Sequence, residues 1–202
     1  MLTAIVQGIL LSAGLILPLG VQNVFVFNQG VTQPNFIRAL PVVLTAALCD
    51  TVLISLAILG VSVVIVTIPA IKIILFALGI VFLIYMGILT WKSKPASSAS
   101  EEAALSPKRQ IAFAASVSLL NPHAILDTIG VIGTSSIHYS GTEKLVFAVA
   151  CIGVSWIWFI ALALMGRQVG RLDQSRTFIT YLNKASALIM WGTSIYLITQ
   201  LI

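Results

Sequence analysis

The sequence predicts an all-α integral membrane protein whose six transmembrane helices form an inverted 3+3 repeat, with helices one and four broken. Three observations predict it. Hydrophobic residues make up 59% of the 202 residues and charged ones 8%, with a mean hydropathy of +1.08, and no soluble domain of this size buries that much apolar surface. The apolar residues fall into six stretches, each long enough to cross a bilayer as a helix. A proline followed five positions later by a polar residue occurs twice, as Pro18 to Asn23 in LPLGVQN and Pro122 to Asp127 in LNPHAILD.

Span one, residues 4–27, has no basic residue before it and is too long for a secretory leader, which argues against cleavage. Pro18 removes one helical hydrogen bond and frees the Gly14 carbonyl, and Leu19 and Gly20 continue the break. Span two, 39–66, carries Asp50 and a small-residue packing face of Ala46, Ala47, Ala57 and Gly60. Span three, 70–91, offers Gly79 and Gly87 for packing and ends on Trp91, an expected interfacial anchor. The stretch 92–110, KSKPASSASEEAALSPKRQ, reads as a polar linker. Span four, 111–134, is broken at Pro122, which frees the Ser118 carbonyl. Span five, 145–166, packs through Ala161 and Gly166 and sets Trp156 and Trp158 deep. Span six covers 182–202. The expected organisation is a first three-helix repeat over 1–91, the linker, and a second, inverted repeat over 111–202.

Pro18 superposes on Pro122 at a shift of 104, and Gly87 on Gly192 at 105. Each half has three spans, an odd number, so the second half enters the membrane upside down relative to the first. Unwound backbone survives at membrane depth only where protein or a water-filled cavity satisfies it. Paired breaks therefore predict a substrate site between the halves, as transporters use.

The net charge of +5 could suggest nucleic acid, but the distribution of charge argues against such a partner. Nine of the eleven basic residues fall in loops one, three and five: Arg38, Lys92, Lys94, Lys108, Arg109, Arg167, Arg171, Arg176 and Lys184. Lys72 and Lys144 lie on the other side. This is the positive-inside asymmetry, which predicts cytoplasmic loops one, three and five and both termini outside. Cys49 and Cys151 sit inside spans at positions that are not repeat-equivalent, so each reads as a small core residue.

Asp50 and Asp127 are the acidic residues inside apolar spans. An aspartate at a helix centre costs about 2.5 to 3.5 kcal/mol on insertion scales, so each asks for a reason. A structural carboxylate paired with a polar neighbour is the plain one; a group that exchanges a proton for a cation is the functional one. His123 shares a helix face with Asp127 and could relay a proton, orient the carboxylate or close the broken turn. Asn121 fits a cap on the second half-helix of span four better than a donor into the cavity. Gln22 and Asn23 place amides beside the first break, with Asn23 at the position that Asp127 holds in the other half. Asn28 and Gln29 fall near the cytoplasmic end, where solvation explains them. Carboxylates suit an ammonium or guanidinium, while amides and half-helix N-termini suit a carboxylate. Together they describe a site for a cationic amino acid, with Asp127, Asp50, Asn23, Gln22, Asn121 and His123 binding and Pro18, Gly20 and Pro122 breaking the helices. No catalytic residue, resident metal or cofactor is expected.

ILPLGVQNVFVFNQG (16–30), the Cys49-Asp50 pair and LNPHAILDTIGVIG (120–133) closely resemble the lysine and arginine exporter family, the LysE type, over nearly the whole chain. The resemblance implies a multi-pass protein of the bacterial cytoplasmic membrane that exports lysine or arginine by antiport or on the membrane potential, with protons as a partner and homo-oligomers left open. It departs from the family at Val21, where relatives commonly have proline, and a milder kink is expected there. Distant relatives resemble metal carriers, which makes a divalent metal-ion exporter the alternative. Against it stand a single intramembrane histidine and no acidic pair at helical spacing. An intramembrane enzyme is the remote alternative: the aspartates lack a glycine-aspartate context, and the cysteines are misplaced for thiol chemistry.

Overall fold

The computed structural model describes residues 1–17, 20–60, 69–92, 105–121, 124–125, 128–172 and 177–199. Regular structure among them is entirely helical: α1 (Leu2–Ile16), α2 (Val21–Thr32), α3 (Phe36–Ile58), α4 (Pro69–Lys92), α5 (Pro107–Leu119), a π-helical turn (Thr128–Gly133) running into the short α6 (Thr134–Ser136), α7 (Gly141–Leu172) and α8 (Thr177–Thr199).

Two of these, α3 and α7, are long and apolar enough to cross a membrane alone, and α1 with α2 passes the same test across a 78° bend. On α3, Leu44, Leu48, Val52 and Leu56 form an exposed row, while Val43, Ala46, Ala47 and Ile54 are buried on the opposite face. A row of exposed leucines at this spacing is satisfied by lipid, not water. The 32 residues of α7 extend about 48 Å at helical rise, past the roughly 30 Å hydrocarbon core. The helix therefore overruns the predicted 145–166 at both ends, because hydropathy stops at the first charges and the helical backbone does not.

Small residues set the closest approaches. Ala4, Gly8 and Ser12 are the buried face of α1, and a Cβ on Gly8 would come within 3.0 Å of both the Ala150 Cβ and the Phe147 carbonyl of α7. A Cβ on Gly30 of α2 would overlap the Ala163 carbonyl, and one on Gly166 of α7 would overlap the Phe27 carbonyl. Of the expected small residues, Ala46, Ala47, Ala57, Gly79, Gly87 and Gly166 are buried and Ala161 is half-buried. Gly60 is a correction. It is exposed, with φ +82° and nothing within 4 Å of a Cβ, so it ends α3 in a left-handed turn rather than packing. Residues 61–66 of the expected span lie outside the described residues. At the other end of the linker, Ser106 precedes α5 and Pro107 opens it, since proline's missing N–H costs nothing in a first turn. Residues 107–110, expected as linker, are thus helical.

Helices α1, α2 and α3 all pack on α7, while α3 also carries α5 and the π-helical turn, and α4 packs on α8. Cross-contacts gather one end of the bundle: Gln110 Nε2 donates to the Arg38 carbonyl at 2.9 Å, Asn28 Nδ2 to Asn183 Oδ1 at 2.6 Å, and Lys184 Nζ lies 5.7 Å over the Trp91 ring. The Tyr139 hydroxyl donates to Gln7 Oε1 at 2.5 Å, tying the start of α1 to the segment that leads into α7. Trp91, expected as an anchor, also stacks on Trp191 with ring centroids 5.5 Å apart. Among the described residues, four apolar clusters fill the bundle, one centred on Phe25, Val43 and Phe159, one on Phe76, Leu83 and Met190, one on Ile54, Ile132 and Phe147, and a small one of Ala57, Ile125 and Ile129.

Candidate functional site: a cavity between the helix ends

Both expected breaks leave helix ends in the described residues. Helix α1 ends at Ile16, and α2 restarts at Val21 behind Gly20, whose backbone is extended at ψ 176°. Helix α5 ends at Leu119, with the Ile125 N–H donating to the Asn121 carbonyl beyond it. Pro18, Pro122, His123 and Asp127 lie outside the described residues.

A cavity of about 330 Å³ opens between these ends. The last turn of α1 (Gly14, Leu15, Ile16) forms one wall and the first turn of α2 (Gly20 to Asn23) another. Asp50 enters from α3, and Asn121 and Thr128, sequence neighbours of the second break, complete the polar side with Thr193 of α8, with Ala124 beside them. Leu83, Phe159 and Met190 supply the apolar side. Among the described lining residues, Asp50 alone carries charge. The cavity thus brings together Gln22, Asn23, Asp50 and Asn121 of the expected binding residues, and Gly20 of the expected break.

Each of these side chains has a traceable reason for its position. The Asp50 carboxylate is held from both sides: Gln22 Nε2 donates to Oδ1 at 3.1 Å and the buried Ser155 Oγ of α7 donates to Oδ2 at 2.9 Å. Asn23 Nδ2 donates to the Ile16 carbonyl at 2.5 Å, satisfying an acceptor that the end of α1 leaves without a helical partner. Asn121 does not cap with its side chain as expected. Its Oδ1 is buried and accepts no hydrogen bond, at the edge of a cavity where a ligand N–H would find it. Leaving such an acceptor unmet costs about 1 to 3 kcal/mol.

Asn28 and Gln29 are a second correction. Gln29 is buried and accepts from Gln33 Nε2 at 3.1 Å, and Asn28 bonds Asn183 across to α8, so packing between helices explains them rather than solvation. Both cysteines are free thiols, with the Cys151 Sγ against the Gly8 carbonyl at 3.6 Å. Trp156 and Trp158 pack beside the Phe159 cluster, and Trp156 Nε1 also donates to Thr51 Oγ1 at 3.1 Å. Sequence reasoning missed Ser155, Thr128 and Thr193. A signal for Ser155 did exist, because it stands 105 residues after Asp50, the same shift that relates Gly87 to Gly192.

A multi-pass helical membrane protein whose helix ends surround a largely apolar cavity, with polar side chains and Asp50 on its described wall, is, by class, a membrane transporter. The chain belongs to the LysE type translocator family, whose profile matches residues 13–201. It is a translocator and not an enzyme. It is 55% identical over 195 residues to the "Putative amino-acid transporter YisU" of Bacillus subtilis, covering 96% of this chain and 89% of that one. It is 32% identical to the "Arginine exporter protein ArgO" of Serratia proteamaculans over 99% of this chain and 98% of the relative. The same-named protein of Pectobacterium carotovorum is 34% identical over 98% and 97%. No solved structure matches the chain. These relatives do not favour the metal-carrier alternative.

Proposed function

We propose that the chain exports basic amino acids, arginine or lysine, across the bacterial cytoplasmic membrane, driven by the proton gradient or the membrane potential. The observation that carries this is Asp50, the one charged group on the described cavity wall, held beside the first turn of α2 by its bond from Gln22. A cavity of about 330 Å³ lies at the small end of the usual ligand range and suits one amino acid. The C-terminal end of α1 carries partial negative charge and the N-terminal end of α2 partial positive charge. A substrate α-carboxylate fits against the first turn of α2, and its cationic groups fit against Asp50, the α1 carbonyls and Asn121 Oδ1. Gln22 and Asn23 hold that frame. The names of the arginine-exporting relatives support the same substrate class.

Asp127 and His123 follow Asn121 in the sequence, and in this proposal they take part in the same transport chemistry. Asp127 would supply a second carboxylate, and with Asp50 it would take up a proton as the cation leaves. Pro18 and Pro122, which lack a backbone N–H, are in this proposal the residues responsible for the breaks.

The inverted 3+3 organisation, 1–91 and 111–202 around the 92–110 linker, is supported by how the helices pair. The start of α3 and the end of α7 lie at one end of the bundle, as do the end of α4 and the start of α8, which is the relation an inverted repeat requires. Arg38, Lys92, Lys108, Arg171 and Lys184 collect at that end, which supports assigning it to the cytoplasm and the termini to the outside.

The test is counterflow in proteoliposomes loaded with arginine or lysine, followed with label against a panel of amino acids and divalent ions. Uptake specific to basic amino acids is expected, with Asp127→Asn folded and inactive. Equal rates with and without protein defeat the proposal, and label exchange driven by manganese or cadmium redirects it to metal export.

A further inference from the structure

Two hydrogen bonds between α3 and α7 join residues separated by the same interval. Ser155 bonds Asp50 and Trp156 bonds Thr51, each pair 105 residues apart. That interval is the shift relating Gly87 to Gly192, one more than the 104 relating Pro18 to Pro122. In an isologous pairing, a residue that touches its own counterpart must stand on the twofold axis. Two consecutive residues of α3 doing so place the axis between α3 and α7 at Asp50.

We infer that Ser155 is the positioning residue for Asp50, and that the pair stands on the pseudo-twofold axis between the halves. The inference rests on the proposed inverted repeat and on the reading of Asp50 as a substrate ligand. In an inverted repeat, the inward- and outward-open states arise as the two halves exchange conformations. That exchange turns the Asp50–Ser155 contact into Ser155–Asp50, the same contact. The Gln22–Asp50 bond has no such mate, since it joins the broken span to the axis and Ser155 offers no carboxylate for the other broken span to hold. Ser155 therefore keeps one carboxylate oxygen oriented throughout the cycle, and Gln22 holds the other in one state only. A second carboxylate at position 155 would face Asp50 directly, which is why the axis carries an acid on one half and a hydroxyl on the other.

The decisive experiment exchanges the two side chains. Because they are counterparts at one place, an acid moved from 50 to 155 stays where the substrate meets it. Arginine counterflow is measured for wild type, Asp50→Ser, and Asp50→Ser combined with Ser155→Asp, with monodispersity and thermal unfolding as folding controls. Asp50→Ser is expected to lose on the order of a hundredfold in rate, and the exchanged pair to recover to within about tenfold of wild type. A folded exchanged pair as inactive as Asp50→Ser overturns the inference. If the exchanged pair does not fold, Ser155→Ala decides. A KM about tenfold higher at little-changed maximal rate is expected from losing one hydrogen bond to a charged group, and an unchanged KM overturns the assignment. Absence of wild-type counterflow would count against the export proposal itself, so the two failures are separate.

Discussion

Asp50 shows how one side chain is made tolerable and useful at once. Its two oxygens each receive a hydrogen bond, from Gln22 at 3.1 Å and Ser155 at 2.9 Å, and the residue lines the cavity. An unpaired carboxylate in such a place costs several kcal/mol, so a cation is the natural third partner. Asp50→Asn is expected to stay folded and to lose transport by about a hundredfold. It is also expected to lose the rise in unfolding temperature that arginine gives the wild type, a shift read by thermal unfolding at graded ligand. Gln22, Asn23, Asp50 and Asn121 were legible in the sequence because an acid or amide in an apolar run is conspicuous. Hydroxyls were not. Thr193 bonds the Ile189 carbonyl of its own helix at 2.9 Å, as any membrane threonine can, and nothing in sequence separates that from a residue lining a site.

At the scale of elements, glycine decides how close helices come. Gly30 of α2 and Gly166 of α7 put backbone against backbone, leaving no room for a side chain. Gly166→Leu is expected to destabilise the protein by at least about 1 to 3 kcal/mol through overpacking, seen as a lower thermal midpoint in detergent. Gly60→Ala, at a turn with open space around it, costs only the strain of its positive φ, about 1 kcal/mol. The ordering of the two midpoints tests the distinction. Prolines made the broken helices legible, since a missing N–H acts locally. The end of α3 was hidden because the apolar run continues through Val61 and Val63, and hydropathy reports burial rather than helicity.

For the whole molecule, the main packing joins the two halves of the chain rather than holding either half together. Helices α1, α2 and α3 rest on α7, α5 rests on α3, and α4 rests on α8. Each half expressed alone, 1–91 or 111–202, is expected to fail to accumulate, and the two expressed together to co-purify with the unfolding midpoint of the intact chain. Independent accumulation of either half would show that its own contacts suffice. The contact between Asp50 and Ser155 bears on how such a chain arises. Under the inverted repeat proposed above, a three-helix unit pairing with its own copy would meet itself at this spot, and an acid there would stand against an identical acid. Joining two copies into one gene removes that constraint, letting the position mutate on one side alone. An acid facing a hydroxyl across that contact is an arrangement open to a fused chain and closed to a symmetrical dimer.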